Sequence, residues 1–214
     1  METTTADGRR ARGDASRRVI LGHAADLASV EGLDGLSFGR LSEVSGHSKS
    51  SIATLFRGKE ALQLATVATA AEVFRLRVVE PARARPHGAG RVAALLQGVL
   101  DYSRERVFTG GCFFSAISAD VDSKPGPVRD EVRRWQALWR GYVEAQLRHA
   151  ASSGELTAGA DPERLAFELL AYFTEANARS LLSGEDRAYD LAGAAMRDRL
   201  LAAGADPAAL DALS

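Results

Sequence analysis

The chain has 214 residues, of which 46% are hydrophobic, and its formal net charge at pH 7 is −1. This length allows one large core or two modest ones, and no run of about 18 apolar residues is present that could span a membrane. The near-zero charge excludes a protein that coats nucleic acid through bulk electrostatics. A single cysteine excludes an internal disulfide framework. We therefore expect a cytoplasmic protein without membrane contact.

The N-terminal segment is polar and rich in arginine, and it lacks the apolar stretch of a secretory signal. We expect residues 1–13 to form a disordered, solvated tail. Arg17 and Arg18 follow at the start of the first predicted helix, where a basic pair is well placed to contact phosphate groups.

Two short helical patterns flank a turn at Gly46, and a third helix opens at Lys59. Ser37 and Ser48 precede the first two patterns, so each hydroxyl can cap a helix by accepting a hydrogen bond from a free backbone N–H. Glycine adopts a positive φ at little cost, which suits a sharp turn between two helices. The segment 37–60 therefore predicts a helix-turn-helix.

The second helix of this motif, residues 49–56, has one apolar and one polar face. Ile52 and Phe56 lie four residues apart and share a side. The other side carries one cation and three small hydroxyls, namely Lys49, Ser50, Ser51 and Thr54. Small polar groups fit a major groove about 12 Å wide and can contact phosphates and base edges. The surface helix of an ordinary bundle can show the same pattern.

With the helices on either side, residues 16–75 resemble the TetR family of bacterial transcriptional repressors. The resemblance rests on the pattern Ile20, Ala24, Ala25, Gly32, Leu41, Gly46, Ser48, Lys49, Phe56, Lys59, Glu60 and Leu62. It implies that Lys59 holds the DNA backbone. Ala53 departs from the pattern, because the family often has a tyrosine there that reaches a phosphate. The candidate DNA-binding residues are Arg17, Arg18, Ser37, Lys49, Ser50, Ser51, Thr54 and Lys59.

Beyond Phe74 no segment shows the alternation of a strand, so we expect an all-α fold of about nine helices. Proline and glycine mark the ends of helices predicted at 59–79, 91–107, 112–119, 128–151, 161–182 and 185–203. We expect a helix-turn-helix domain over 14–60, a linking helix to about 79, and a ligand-binding and dimerisation domain over 80–214.

The last two predicted helices carry apolar residues on more than one face. A symmetric homodimer would cover the surplus through a four-helix contact, and the resemblance implies the same arrangement. The candidate interface residues are Leu165, Leu169, Leu181, Leu191, Met196 and Leu200. Burial of both faces within one protomer is the alternative. Two recognition helices related by a two-fold axis would read a palindromic operator in double-stranded DNA.

The region in which TetR-like proteins hold an inducer pocket is rich in aromatic residues here. The candidate pocket residues are Cys112, Phe113, Trp135, Trp139, Tyr142, Phe173 and Asn177. Such a lining suits a small, mostly apolar effector molecule, although large apolar residues more often belong to the core. For Asn177, an inter-helix hydrogen bond is the simpler explanation.

The segments GGCFF (110–114) and PGPVRD (125–130) resemble a subset of the same family. Cys112 raises the alternative of a redox-responsive regulator, although its flanking phenylalanines indicate a buried, inert thiol. The four histidines show no catalytic or metal-ligand spacing, so we expect neither an enzyme nor a bound metal or cofactor.

We expect a sequence-specific DNA-binding transcriptional regulator, most simply a homodimeric repressor that an effector releases from its operator. A helical binding protein without DNA activity is the other alternative.

Overall fold

The computed structural model describes the backbone of residues 3–213 and the side chains of residues 13–213. This part of the chain is helical and has no strand, which confirms the all-α prediction. Its α-helices are α1 (Thr3–Gly35), α2 (Phe38–Ser45), α3 (Lys49–Leu55), α4 (Lys59–Phe74), α5 (Glu80–Ala82), α6 (Ala89–Arg104), α7 (Phe113–Val121), α8 (Pro127–Ser152), α9 (Pro162–Ser183) and α10 (Arg187–Ala202). A 3₁₀ turn, Pro207–Leu210, follows α10.

The start of α1 differs from the expected disordered tail, because the backbone of residues 3–13 is already helical. The alanines and arginines of this stretch favour helix, and no proline interrupts it. The side chains of residues 1–12, and residues 1, 2 and 214 altogether, lie outside the described residues.

The helix-turn-helix forms through the capping residues that the sequence predicts. The hydroxyl of Ser37 accepts a hydrogen bond from the backbone N–H of Arg40 at 3.1 Å, and that of Ser48 accepts one from Ser51 at 3.2 Å. Gly46 ends α2 with a φ of 69°, a conformation that strains residues with a Cβ atom. The described residues thus confirm the two caps and the turn.

The predicted linking helix changes its hydrogen bonding near its end, where a π-helical turn, Arg75–Val79, joins α4 to the short α5. Pro81 explains the change, because it has no N–H to donate to the carbonyl of Arg77 and its ring crowds that carbonyl. The wider turn relieves the crowding, and the N–H of Glu80 bonds to the carbonyl of Arg75. The separate α5 accounts for one helix more than the expected nine or so.

The chain forms two compact units, each made of two segments. The first unit contains Met1–Glu72 and Phe108–Val132, and the second contains Val73–Val107 and Arg133–Ser214. This division differs from the single boundary expected near residue 80, because α7 packs on α1 and so joins the helix-turn-helix unit. The core beneath the helix-turn-helix consists of Ile20, Leu21, Ala24, Leu27, Leu36, Leu41, Ile52, Phe56 and Leu62.

In the second unit α9 and α10 pack against each other and against α6. The prediction of interface residues on these helices is wrong at four positions, because Leu165, Leu169, Met196 and Leu200 are fully buried within the protomer. They are core residues of the second unit. The other two, Leu181 and Leu191, are exposed at 41% and 49%. Helical periodicity identifies apolar faces but does not tell which neighbour covers them.

Candidate nucleic-acid interface

The polar side of α3 faces solvent, as the sequence predicts. Lys49, Ser50, Ser51 and Thr54 are all exposed, whereas Ile52 is buried. The hydroxyls of Ser50 and Ser51 lie 3.1 and 2.8 Å from that of Ser48, and the hydroxyl of Thr54 donates to the Ser50 carbonyl at 2.9 Å. Each hydroxyl oxygen carries two lone pairs and one proton, so these bonds leave capacity for further partners.

Three of the predicted DNA-binding residues line one open cleft of about 310 Å³. Ser37 comes from the start of α2, Lys49 from the start of α3 and Lys59 from the start of α4. The remaining lining residues are Phe38, Gly39 and Leu62. Two ammonium groups beside the N-terminal ends of helices attract an anion, because the free N–H groups and the helix dipoles add to their charge. Lys49 and Lys59 therefore bring two basic side chains to the lining of this cleft.

Lys59 is held in place by the protein itself. Its ammonium donates a hydrogen bond of 2.6 Å to the backbone carbonyl of Asp34, at the end of α1. An ammonium has three donors, so two remain for an external acceptor. A side chain fixed in this way loses less conformational entropy when it binds a phosphate.

The two arginines Arg17 and Arg18 of α1 have different environments. The guanidinium of Arg17 donates to the carbonyl of Leu55 at 2.8 Å and lies over the ring of Phe56, with 4.4 Å between Cζ and the ring centroid. Arg17 thus supports the end of α3, a structural role that the sequence did not reveal. Arg18 is exposed to solvent.

The segment that precedes α7 docks on α1 through backbone groups. The Asp26 carboxylate accepts hydrogen bonds from the N–H of Thr109 at 2.7 Å and from its hydroxyl at 3.1 Å. The N–H of Gly110 donates to the Ser29 hydroxyl at 2.9 Å. A Cβ at position 110 would lie 1.9 Å from the Ser29 carbonyl oxygen, so only glycine fits. This contact gives the first glycine of GGCFF its physical reason.

The far end of α7 docks on α1 through Asp120. Its Oδ2 atom accepts hydrogen bonds from the backbone N–H groups of Leu33 at 2.8 Å and Asp34 at 3.3 Å. Lys124 donates to Asp120 at 2.6 Å and to the Asp34 carboxylate at 2.7 Å. Partial burial acts to raise the pKa of Asp120, but the bonds from Lys124 and the two amides outweigh it, so the pKa lies below its ordinary value.

The seven predicted pocket residues are divided between the two units. Cys112 and Phe113 belong to the first unit and are buried, with the Phe113 ring packed edge-on against Phe114, 5.4 Å between centroids. Burial raises the pKa of the Cys112 thiol. A buried thiol that stays protonated is a poor redox sensor.

The other five pocket candidates lie in the second unit. Trp139 packs edge-on against Phe74, 5.0 Å between centroids, and the Asn177 carbonyl accepts a hydrogen bond of 3.5 Å from the Tyr189 hydroxyl. Phe173 is buried, whereas Trp135 and Tyr142 are half-buried. The bond from α10 to Asn177 on α9 is an inter-helix contact, so this amide already has a structural partner.

The second unit has an open cleft of about 350 Å³ beside the π-helical turn, lined by none of the seven pocket candidates. The charged and amide side chains of its lining belong to Arg77, Arg85, Gln97, Asp101 and Glu105. The buried Oε1 atom of Gln97 has no hydrogen-bond partner among the described residues. Buried carbonyls are normally satisfied, so this atom is an acceptor that a ligand could use.

Neither a membrane-spanning helix nor a cluster of metal-ligating side chains occurs among the described residues. No helix in this part of the chain combines the length and apolar character of a membrane span. Nowhere in the same part do three histidine, cysteine or acidic side chains converge as ligands of a metal ion would.

The contacts that sequence reasoning missed join residues far apart along the chain. Asp120 and Lys124 are spaced as an i, i+4 ion pair, which the sequence displays. Their contact with the Leu33–Asp34 backbone is not visible in the sequence. Gly32 was part of the family pattern, and its φ of 75° shows that it interrupts α1 just before these amides.

Comparison with known proteins agrees with this architecture. Residues 88–196 match the model of the tetracyclin repressor-like C-terminal domain, while no curated protein matches the chain. A TetR transcriptional regulator from Chloroflexus aurantiacus J-10-FL superposes with a TM-score of 0.80, at 23% identity over 89% of this chain and 94% of that one.

Two other solved structures share the fold. A TetR-family regulator from Agrobacterium tumefaciens has a TM-score of 0.77, at 18% identity over 89% of this chain and 98% of that one. AibR, solved with isovaleryl coenzyme A and operator DNA, has a TM-score of 0.65, at 18% identity over 84% of this chain and 97% of that one. The family model covers half of the chain, and the helix-turn-helix lies N-terminal to the matched residues. The chain belongs to the TetR family and is a DNA-binding transcriptional regulator.

Proposed function

We propose that this regulator is a homodimeric repressor that binds a palindromic operator and is released by a small-molecule effector. The observation that carries DNA binding is the cleft in which Ser37, Lys49 and Lys59 meet, next to the exposed polar side of α3. A phosphate of the DNA backbone, bound in the cleft, would fix the helix-turn-helix on the DNA, while Ser50 and Thr54 contact base edges.

Dimerisation is supported by apolar side chains that the protomer leaves uncovered on α9 and α10. Phe167 is 77% exposed and Leu182 is 90% exposed, and both lie on α9. Leu181 and Leu191 add to this surface. Exposed large apolar residues on adjacent helices favour a partner, and a two-fold axis pairs the same surface with itself. Two helix-turn-helix motifs, one from each protomer, would double the length of DNA that is recognised.

Effector binding is proposed for the second unit. The solved relative AibR holds isovaleryl coenzyme A and operator DNA, so a small molecule is a reasonable signal here as well. The predicted aromatic set favours a mostly apolar effector, whereas the cleft around Gln97 favours one that donates hydrogen bonds. A bulky Ala94→Phe change would fill that cleft, because Ala94 lines it. Loss of effector response in this variant would assign the effector to the cleft, and an intact response would assign it elsewhere.

The alternatives have less support. Burial of Cys112 and its raised pKa disfavour redox sensing. We propose no catalytic activity, since the solved relatives are regulators. A regulator acts where its DNA lies, which for a bacterial protein is the cytoplasm.

The proposal is tested by selecting DNA with the purified protein. Genomic fragments that it retains are sequenced, and we expect a shared palindromic site. A library of small molecules is then screened for release of one recovered fragment. A protein that retains no fragment above background would refute the proposed function.

A further inference from the structure

We propose that Asp120 is a positioning residue for DNA binding, which fixes the Leu33–Asp34 backbone and thereby aims Lys59 at the phosphate. The proposal rests on the proposed function, because it assumes that Lys59 contacts DNA. It adds Asp120, a residue of α7 that lies outside the helix-turn-helix, to the residues that hold the helix-turn-helix in place.

The first step is the break in α1 at Gly32. Its φ of 75° and ψ of 167° are not helical. The backbone N–H groups of Leu33 and Asp34 therefore lack the carbonyl acceptors that a continuous helix would provide one turn earlier. Asp120 supplies an acceptor for both Leu33 and Asp34. A Cβ on residue 32 would come within 2.9 Å of Oδ2 of Asp120, so the glycine makes this close approach possible.

The second step links the same two residues to α4. The carbonyl of Leu33 accepts a hydrogen bond of 2.8 Å from the buried Gln63 amide, and the carbonyl of Asp34 accepts one of 2.6 Å from Lys59. The N–H groups of the Leu33–Asp34 pair therefore bind α7, and its carbonyls bind α4. A shift of this backbone segment moves the acceptor that orients Lys59.

The third step is the charge around Asp34. Lys124 bridges the carboxylates of Asp34 and Asp120 with bonds of 2.7 and 2.6 Å. Without Lys124 the two carboxylates would repel each other, and this repulsion would weaken the docking of α7 on the end of α1. Hydrogen bonds to a charged acceptor are stronger than neutral ones, so the Asp120 contacts resist opening.

The consequence concerns how Lys59 meets DNA. With Asp34 held, one donor of the ammonium is occupied and the other two remain for a ligand of the cleft, which Lys49 also lines. With Asp34 released, Lys59 is an ordinary flexible surface lysine. Affinity for DNA then falls through Lys59, although Asp120 itself does not contact DNA.

The test uses the full-length protein and a DNA fragment selected by the wild type. Binding is measured by fluorescence anisotropy against salt concentration for Lys59→Ala, Asp120→Ala and the double variant. We expect each single change to weaken binding about tenfold and to reduce the slope of log K against log salt by about 1. The double variant should bind no more weakly than either single variant, because both changes remove the same contact.

Controls separate positioning from general stability. Asp122→Ala removes the same charge from an exposed position at the end of α7 and should leave affinity unchanged. Asp120→Asn retains an acceptor oxygen and should recover part of the affinity. Hydrogen exchange at the amides of Leu33 and Asp34 should accelerate in Asp120→Ala, while that of Ile52 should not.

Two outcomes would overturn the proposal. One is an additive loss in the double variant, and the other is a weaker affinity with an unchanged salt slope. Loss of binding in Lys49→Ala alongside additive behaviour of Asp120→Ala would leave the proposed function standing and remove only the positioning role. Absence of DNA binding in the wild type would instead count against the proposed function itself.

Discussion

The guanidinium of Arg17 lies over the ring of Phe56, with 4.4 Å between Cζ and the ring centroid. The same group donates to the Leu55 carbonyl at the end of α3. Arg17, which the sequence predicts to contact a DNA phosphate, therefore also stabilises the folded helix-turn-helix. Because Arg17 joins α1 to the end of α3, it stabilises the orientation of α3 within the helix-turn-helix.

The Arg17 contact predicts a stability effect. Arg17→Ala should lower the free energy of unfolding by about 1–2 kcal/mol, since it removes a cation–π contact and a charged hydrogen bond. Urea unfolding measures this loss. Arg18→Ala is the matched control, because its side chain is exposed, and its stability should equal that of the wild type. Equal stability of the two variants would show that the Arg17 contact contributes nothing.

The close approach of Gly110 to α1 predicts a severe cost for any side chain there. Gly110→Ala should lower the free energy of unfolding by about 3 kcal/mol or more, because its Cβ would overlap the Ser29 carbonyl. Gly141→Ala is the control, since this glycine lies within α8 with nothing within 4 Å of the added Cβ. Alanine should raise stability there by about 1 kcal/mol. A Gly110→Ala protein as stable as the wild type would contradict the docking of this loop on α1.

The burial of Cys112 predicts a regulator that does not respond to mild oxidants. Its exposed fraction is 4% and burial raises its pKa, so little reactive thiolate forms at neutral pH. Treatment with dilute hydrogen peroxide should leave DNA affinity unchanged in both the wild type and Cys112→Ala. Mass spectrometry should find the thiol unmodified. Peroxide-dependent release of DNA from the wild type alone would revive the redox alternative.

The exposed apolar residues of α9 predict the oligomeric state. Leu182→Glu with Phe167→Glu should convert a dimer to a monomer, because charges would be buried at the contact. Sedimentation velocity measures the change. Leu138→Glu serves as the control on α8, where Leu138 is 52% exposed. A wild-type protein that sediments as a monomer at micromolar concentration would contradict the dimer.

Local signals in the sequence predict much of the fold. The serine caps, the glycine turn at Gly46 and the apolar spacing of α3 depend on residues within one helical turn, so their pattern is read directly. The position of Asp120 depends on α7 folding back on α1, about 87 residues away along the chain. No local pattern carries that information.

The interface residues show the same limit more sharply. Leu165 and Leu181 are both apolar residues of α9, and nothing in their spacing separates them. The structure buries Leu165 within its own protomer and exposes Leu181. Which apolar face meets a partner is decided by how the helices of one protomer pack, and this cannot be read from periodicity alone. For the same reason, the spacing of the aromatic residues does not tell which of them line a pocket and which belong to the core.

The salt dependence of DNA binding tests the central claim most directly. The wild type and the double variant Lys49→Ala with Lys59→Ala are titrated with a selected DNA fragment at several salt concentrations. We predict salt-dependent binding by the wild type, and a slope of log K against log salt that is smaller by about 2 in the double variant, one for each lost phosphate contact. An affinity and slope identical to those of the wild type would contradict the assignment of the Ser37, Lys49 and Lys59 cleft to DNA.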